Sequence, residues 1–203
     1  MSLQLDHVAF GAADLASGID FMSNALGVAP IGGGKHELFG THNALWRIEG
    51  NYPIYLEVIA IDPNAEPILH LRWFGLEDKN VQQRLKNGCQ LLTYVASTTD
   101  IKTATKQMKE DHGEPVTVSR GNLNWQFSVP KKGNLIANGA LPYLIEWEDK
   151  SPVETMKNQG LTIKSIEGNR LEELDITWPC EHKFSDRLLE VTIANKRGKE
   201  ITF

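Results

Sequence analysis

The chain has 203 residues, 41% of them hydrophobic and 23% charged, a balance that excludes a wholly disordered polymer. A formal charge of −5 disfavours nucleic-acid binding by phosphate neutralisation. No apolar run approaches the roughly 18 residues that a spanning helix needs, so no membrane is expected as a partner.

Cys89 and Cys180 fall in no motif, which argues against a disulfide scaffold or a Cys-based zinc ribbon. The opening MSLQLDHVAF lacks the charged-then-apolar pattern of a signal peptide. Together these set the expectation of a cytoplasmic protein.

The chain opens on DHVAFGAADL at 6–15, an apolar run followed by a small-polar turn and Asp14. Asp14 is a suitable N-cap, and Leu15, Ile19, Met22 and Leu26 carry the spacing of one helical face. Gly27 is placed to end that helix in the left-handed conformation. GGGK at 32–35 reads as a flexible loop; it lacks the Ser/Thr and the earlier Gly of a phosphate loop. HNALWRIE at 42–49 and YPIYLEV at 52–58 then read as strands.

The connector holds VQQRL, a short helix ended by Asn87-Gly88. The pattern then repeats. LTYVASTTDI at 92–101 matches the first run, and Asp100 and Gly113 each stand 86 residues after Asp14 and Gly27. Ile101, Ala104 and Met108 predict a second helix that ends near Gly113. NWQFSVP and LPYLIEW follow as strands; aligning LPYLIEW on YPIYLEV by Pro and Glu gives an offset of 89, an insertion of three residues. The tail carries strand-like LTIKSIEG, LEELDITW and LLEVTIAN, and a hairpin through KRGK to EITF.

The fold expected is α+β, two paired βαβββ modules forming a curved sheet cup, plus a C-terminal partial module. The boundaries read as 1–62, a connector at 63–90, 91–150, and 151–203, packed as one unit.

LDHVAFGAADL, GGKHELFGTHNAL, YLEVIAIDP and ALPYLIEWED resemble the vicinal oxygen chelate superfamily, which includes glyoxalase I, extradiol dioxygenases and bleomycin-resistance proteins. The local text looks closest to its glyoxalase-like domain branch. The resemblance implies metal ligands on the first and last strand of each module. Carried over, these are His7 and Glu57 in the first copy, and Thr93 and Glu146 in the second.

Strand parity is read to place His7 with Ala9, Glu57 with Tyr55 and Ile59, and Glu146 on the cup face. One imidazole and two carboxylates suit Zn²⁺, Mn²⁺, Ni²⁺ or Mg²⁺ with waters. Thr93 is a poor fourth ligand, and the set is not the two-His, one-carboxylate triad of oxygen chemistry. If a metal binds, the resemblance implies carbonyl polarisation with Glu57 or Glu146 as catalytic base. The alternative is a polar pocket without a metal.

Asn43 shares the cup-facing parity with Leu45, which leaves His42 on the core side near the strand start; both are carried as substrate-binding candidates with Tyr55, Thr93, Arg120 and Trp125. Arg120 has the chemistry to pair with a carboxylate or phosphate, although a solvated loop is its default setting. His36 is expected as an exposed loop residue. His70, His112 and His182 have no partner at ligand spacing and are expected in surface or capping roles. The Arg72-Trp73 pair in the connector is a candidate cover for one end of the cup.

Two functions follow as expectations. One is a metal-dependent lyase or isomerase on a hydroxy- or keto-carbonyl compound. The other is a metal-free small-molecule binding protein of the bleomycin-resistance type. An assembly module with a cup filled by its own side chains stays open, as does pairing into a homodimer.

Overall fold

A computed structural model describes residues 2–69 and 72–203. The first module runs β1 (Leu3–Gly11), α1 (Leu15–Leu26), β2 (Gly32–His36), β3 (Thr41–Ile48) and β4 (Ile54–Ile61). After α2 (Lys79–Leu85), the second runs β5 (Gln90–Ser97), α3 (Ile101–Gln107), β6 (Glu114–Arg120), β7 (Leu123–Val129) and β8 (Tyr143–Trp147). The tail adds β9 (Thr162–Gly168), β10 (Ile176–Thr177), β11 (Glu181–Phe184), β12 (Glu190–Ala194) and β13 (Glu200–Thr202).

The modules form one curved sheet in the order β2-β3-β4-β1-β5-β8-β7-β6, joined by antiparallel pairing of β1 with β5. This is the expected cup. Its outer face packs Val8, Phe10, Trp46, Leu56 and Val58 against α1, α3 and the tail. The tail folds as a second sheet, β11-β9-β12-β13, over that outer layer, while β10 pairs with β1. The inner face is lined by Ala9, Ile59, Val95, Phe127, Tyr143 and Ile145. Both faces of the central strands are therefore buried, which explains their long apolar runs.

Local chemistry sets the elements. The Asp14 side chain accepts from Ser17 N, and Gly27 closes α1 at φ +76°. Asp100 caps α3 in the same way, accepting from Thr103 N. That helix ends at Gln107 rather than near Gly113, and the segment after it tucks His112 into the interior. Of LEELDITW, only Ile176–Thr177 is strand. Among the described residues, no helix is long and apolar enough to cross a membrane.

GGGK is the clearest local departure. It forms β2, paired antiparallel to β3, not a loop. Glycine serves a packing need there. A Cβ on Gly33, at φ +134°, would stand 2.2 Å from the Asn43 carbonyl oxygen. Gly33→Ala should therefore cost about 3 kcal/mol or more in urea unfolding, from backbone strain plus overpacking. A loss below about 1 kcal/mol would contradict this close-approach account.

Candidate functional site

The site is built on β1. A register shift between Leu5 and His7 against β5 places both Leu5 and Val8 in the outer core, and brings Asp6 to the His7 side. His7 Nδ1–H donates to Asp6 Oδ1 at 2.6 Å, and Trp147 Nε1–H donates to Asp6 Oδ2 at 2.9 Å. On the other side, His7 Nε2 faces Glu57 Oε2 at 3.4 Å. Glu57 Oε1 accepts from Asn43 Nδ2 at 2.6 Å, and Asn43 Oδ1 accepts from Gly34 N and from Arg120 Nη1, each at 2.9 Å. A single polar chain thus crosses the cup, from Trp147 through Asp6, His7, Glu57 and Asn43 to Arg120.

His7 is 2% exposed and Glu57 4%. Burial alone would lower the His7 pKa. The carboxylates of Asp6 and Glu57 outweigh it and raise the value to about 9, so the imidazole is charged at neutral pH. For Glu57, burial pushes upward, but His7 and Asn43 hold the carboxyl below its ordinary value. Tyr55 stacks on His7 with ring centroids 4.3 Å apart, and burial together with Asp6 raises its phenol well above the usual range. His36 behaves oppositely: burial and then Arg120 lower it to about 4, against the pull of Glu57. The neutral ring donates from Nδ1 to Thr41 Oγ1 at 3.1 Å and accepts at Nε2 from Arg120 Nη1 at 3.1 Å.

Two spaces meet at Arg120. The inner cavity, about 30 Å³, is lined by His7, His36, Tyr55, Glu57, Trp73 and Trp125, among others. The outer groove, about 540 Å³, runs along Ile31–Gly34, Leu45, Leu123 and Met156. Arg120 lines both. Among the described residues it makes no ion pair with a carboxylate.

The structure brings together His7, Asn43, Tyr55, Glu57, Arg120 and Trp125. It separates others. Glu146 sits on the outer face, where its Oε2 accepts from Ile101 N at the start of α3, while Ile145 and Trp147 line the cavity. The pairing register gives the reason. His7 pairs with Tyr55 and Val95 with Tyr143, the same spacing in both modules. The offset of 86 therefore persists, and the residue aligned with Glu57 is Tyr143. Assuming a three-residue insertion, an odd number, turned the strand face over.

Thr93 is buried, and its hydroxyl donates to Leu141 O at 3.1 Å. His42 stays on the core side, with its buried Nε2 lacking a partner among the described residues. His36, expected in an exposed loop, is a buried strand residue, and His112, expected in a surface or capping role, is buried with its Nδ1 at 3.1 Å from Glu110 O. Arg120 ends β6 and reaches into the cup instead of lying in solvent. His182 is exposed and stacks on Trp178, whereas His70 lies outside the described residues. The sequence does not single out Asp6 or Trp147 as site residues, and it offers Trp73 only as a cover for one end of the cup. Only the Asp6-His7 adjacency hinted at the first, and parity argued against it.

The donor set does not fit a divalent ion. Glu146 is across the sheet, and the Thr93 hydroxyl is turned to a backbone carbonyl. His7 and Glu57 remain, but the two imidazole nitrogens face Asp6 and Glu57, and a guanidinium stands beside Asn43 and His36. Among the described residues, no three His, Cys, Asp or Glu side chains are grouped to hold a metal.

The folded-state pKa of His7 exceeds the unfolded value of about 6.5. Its stabilisation is therefore complete below about pH 6.5 and lost as pH rises through about 9. Thermal unfolding should show a falling midpoint across that window. Asp6→Asn should move the fall to lower pH and cost about 3 kcal/mol at pH 7. A midpoint flat from pH 7 to 9.5 in the wild type would contradict the charged pair. Glu146→Ala should cost about 1 kcal/mol, as a lost helix cap, and leave the His7 titration unchanged. A shifted titration would return Glu146 to the site.

The glyoxalase-like domain family profile matches residues 5–178. A hypothetical protein from Staphylococcus aureus is similar in structure over 100% of this chain and 99% of its own, at 16% identity and TM-score 0.58. Methylmalonyl-CoA epimerase from Mycobacterium tuberculosis aligns over 75% of this chain and 92% of its own, at 19% identity and TM-score 0.45. No curated protein matches the sequence. At such identities these likenesses concern the fold. The family match covers most of the chain, and the chain belongs to the glyoxalase-like domain family.

Proposed function

We propose that the cup binds a small organic acid bearing a carbonyl or hydroxyl next to its carboxylate, and moves a proton on it. The observation that carries this reading is Arg120, a guanidinium that bonds only the neutral acceptors Asn43 and His36 among the described residues. A buried-facing guanidinium gains most from a bidentate carboxylate. The ligand body lies in the outer groove, against Leu45, Leu123 and Met156. Its reacting end points past Arg120 into the inner cavity.

There, Glu57 is the ionised base. It accepts the proton from the carbon beside the carbonyl, whose electron pair passes to the carbonyl oxygen as an enolate. The His7 imidazolium stabilises that oxygen, and Asp6 holds the ring in place. Return of the proton gives exchange or isomerisation. No metal is required by this sequence of events. A second reading, binding without turnover, draws on the small inner cavity, about 30 Å³ against 540 Å³ outside. In that case the ligand occupies the groove alone.

The test is incubation with 2-oxobutanoate in D₂O, following deuterium at C3 by NMR, with calorimetric binding in parallel. The expected result is exchange that falls on the order of 100-fold or more in Glu57→Gln, with binding kept, and binding that is lost in Arg120→Met. Binding without exchange selects the second reading. Binding of neither 2-oxo nor 2-hydroxy acids would overturn both.

A further inference from the structure

Trp73 carries a hydrogen-bond donor that the fold does not use. It comes from the connector, is 3% exposed, and lines the inner cavity. Its ring stacks on Phe39 at 4.0 Å and meets His36 and Phe127 edge-on at 4.9 and 5.0 Å. The indole is thus held on several sides, yet its buried N–H has no acceptor among the described residues. Trp46 and Trp147, by contrast, donate to Val28 O and to Asp6. A buried donor left unmatched is costly, and native proteins rarely keep one without a purpose.

The same cavity presents two cationic N–H groups. His7 Nε2 is 3.4 Å from its carboxylate partner, longer than a strong charge-assisted bond, and Arg120 forms part of the wall. Phe74, Phe127 and Ile145 add apolar surface beside the Tyr55 phenol and the Glu57 carboxylate, whose oxygens face Asn43 and His7. About 30 Å³ accommodates one or two non-hydrogen atoms. Three N–H donors around so small a space match a ligand oxygen that only accepts.

We propose that Trp73 is a specificity-determining residue whose indole N–H donates to the carbonyl oxygen of the bound acid. This rests on the organic-acid reading above. A site that hydrogen-bonds a ligand oxygen rejects the analogue lacking it, because the donor is then left unpaired.

The experiment compares 2-oxobutanoate with butanoate, which lacks the 2-oxo oxygen, by calorimetry on the full chain. Wild type should prefer the oxo acid by on the order of 10- to 100-fold. In Trp73→Phe the preference should shrink several-fold, leaving the part that His7 supplies, with butanoate affinity unchanged. Arg120→Met should weaken both acids alike. Equal weakening of both by Trp73→Phe, or an unchanged preference, overturns the proposal while leaving the organic-acid reading intact. Failure of 2-oxobutanoate to bind wild type overturns this proposal, and failure of 2-hydroxybutanoate as well overturns that reading.

If Trp73→Phe does not fold, the ¹⁵N–¹H spectrum of the five wild-type indoles decides. One buried indole proton should move downfield with 2-oxobutanoate and not with butanoate. Movement with neither acid, or with both equally, overturns the proposal.

Discussion

A charged imidazole between two buried carboxylates is the constraint that organises this molecule. His7 could not stay protonated at such burial without Asp6 on one nitrogen and Glu57 beyond the other. Each carboxylate in turn needs a donor, which Trp147 supplies to Asp6 and Asn43 to Glu57. Asn43 is oriented by Gly34 N and Arg120. The backbone features follow from this chain. The irregularity at Asp6 brings two neighbours to one face, and the glycines of β2 let that strand approach β3 closely enough for Gly34 to reach Asn43.

The two modules share a backbone but not a chemistry. At the position aligned with Glu57, the second module has Tyr143, whose hydroxyl donates to Asn134 O at 2.8 Å and accepts from Phe74 N at 3.0 Å. The connector is thereby pinned into the cup, and Trp73, Phe74, Phe127 and Tyr143 fill that half. Polar groups concentrate in the first module's half and face this aromatic wall. Arg120 is the exception, a second-module residue that crosses to Asn43 and His36. One half thus supplies ionised groups, and the other supplies the low-polarity surroundings that strengthen them.

Much of this was legible in the sequence. Asp14 and Gly27 bounded the first helix, and the spacing from Asp14 to Asp100 exposed the repeat. Alternation placed His7, Asn43, Tyr55 and Glu57 on one face because their strands are regular or the count began after the irregularity. Parity fails wherever an odd number of residues is miscounted. Asp6 shares a face with its neighbour only because the strand breaks register. Glu146 reads as inward only when the two Pro-to-Glu motifs are aligned in place of the true pairing. His36, His112 and Trp73 depended on non-local packing, which no local pattern encodes. Glycines that read as a flexible loop serve a close strand approach instead.

The central claim is that His7 is charged in the folded protein. It is tested most directly by the ¹⁵N resonances of its imidazole at pH 7.5 in ¹⁵N-histidine-labelled protein. The account predicts that both ring nitrogens carry protons and lose one only near pH 9. A neutral tautomer at pH 7.5, with one nitrogen unprotonated, would contradict it.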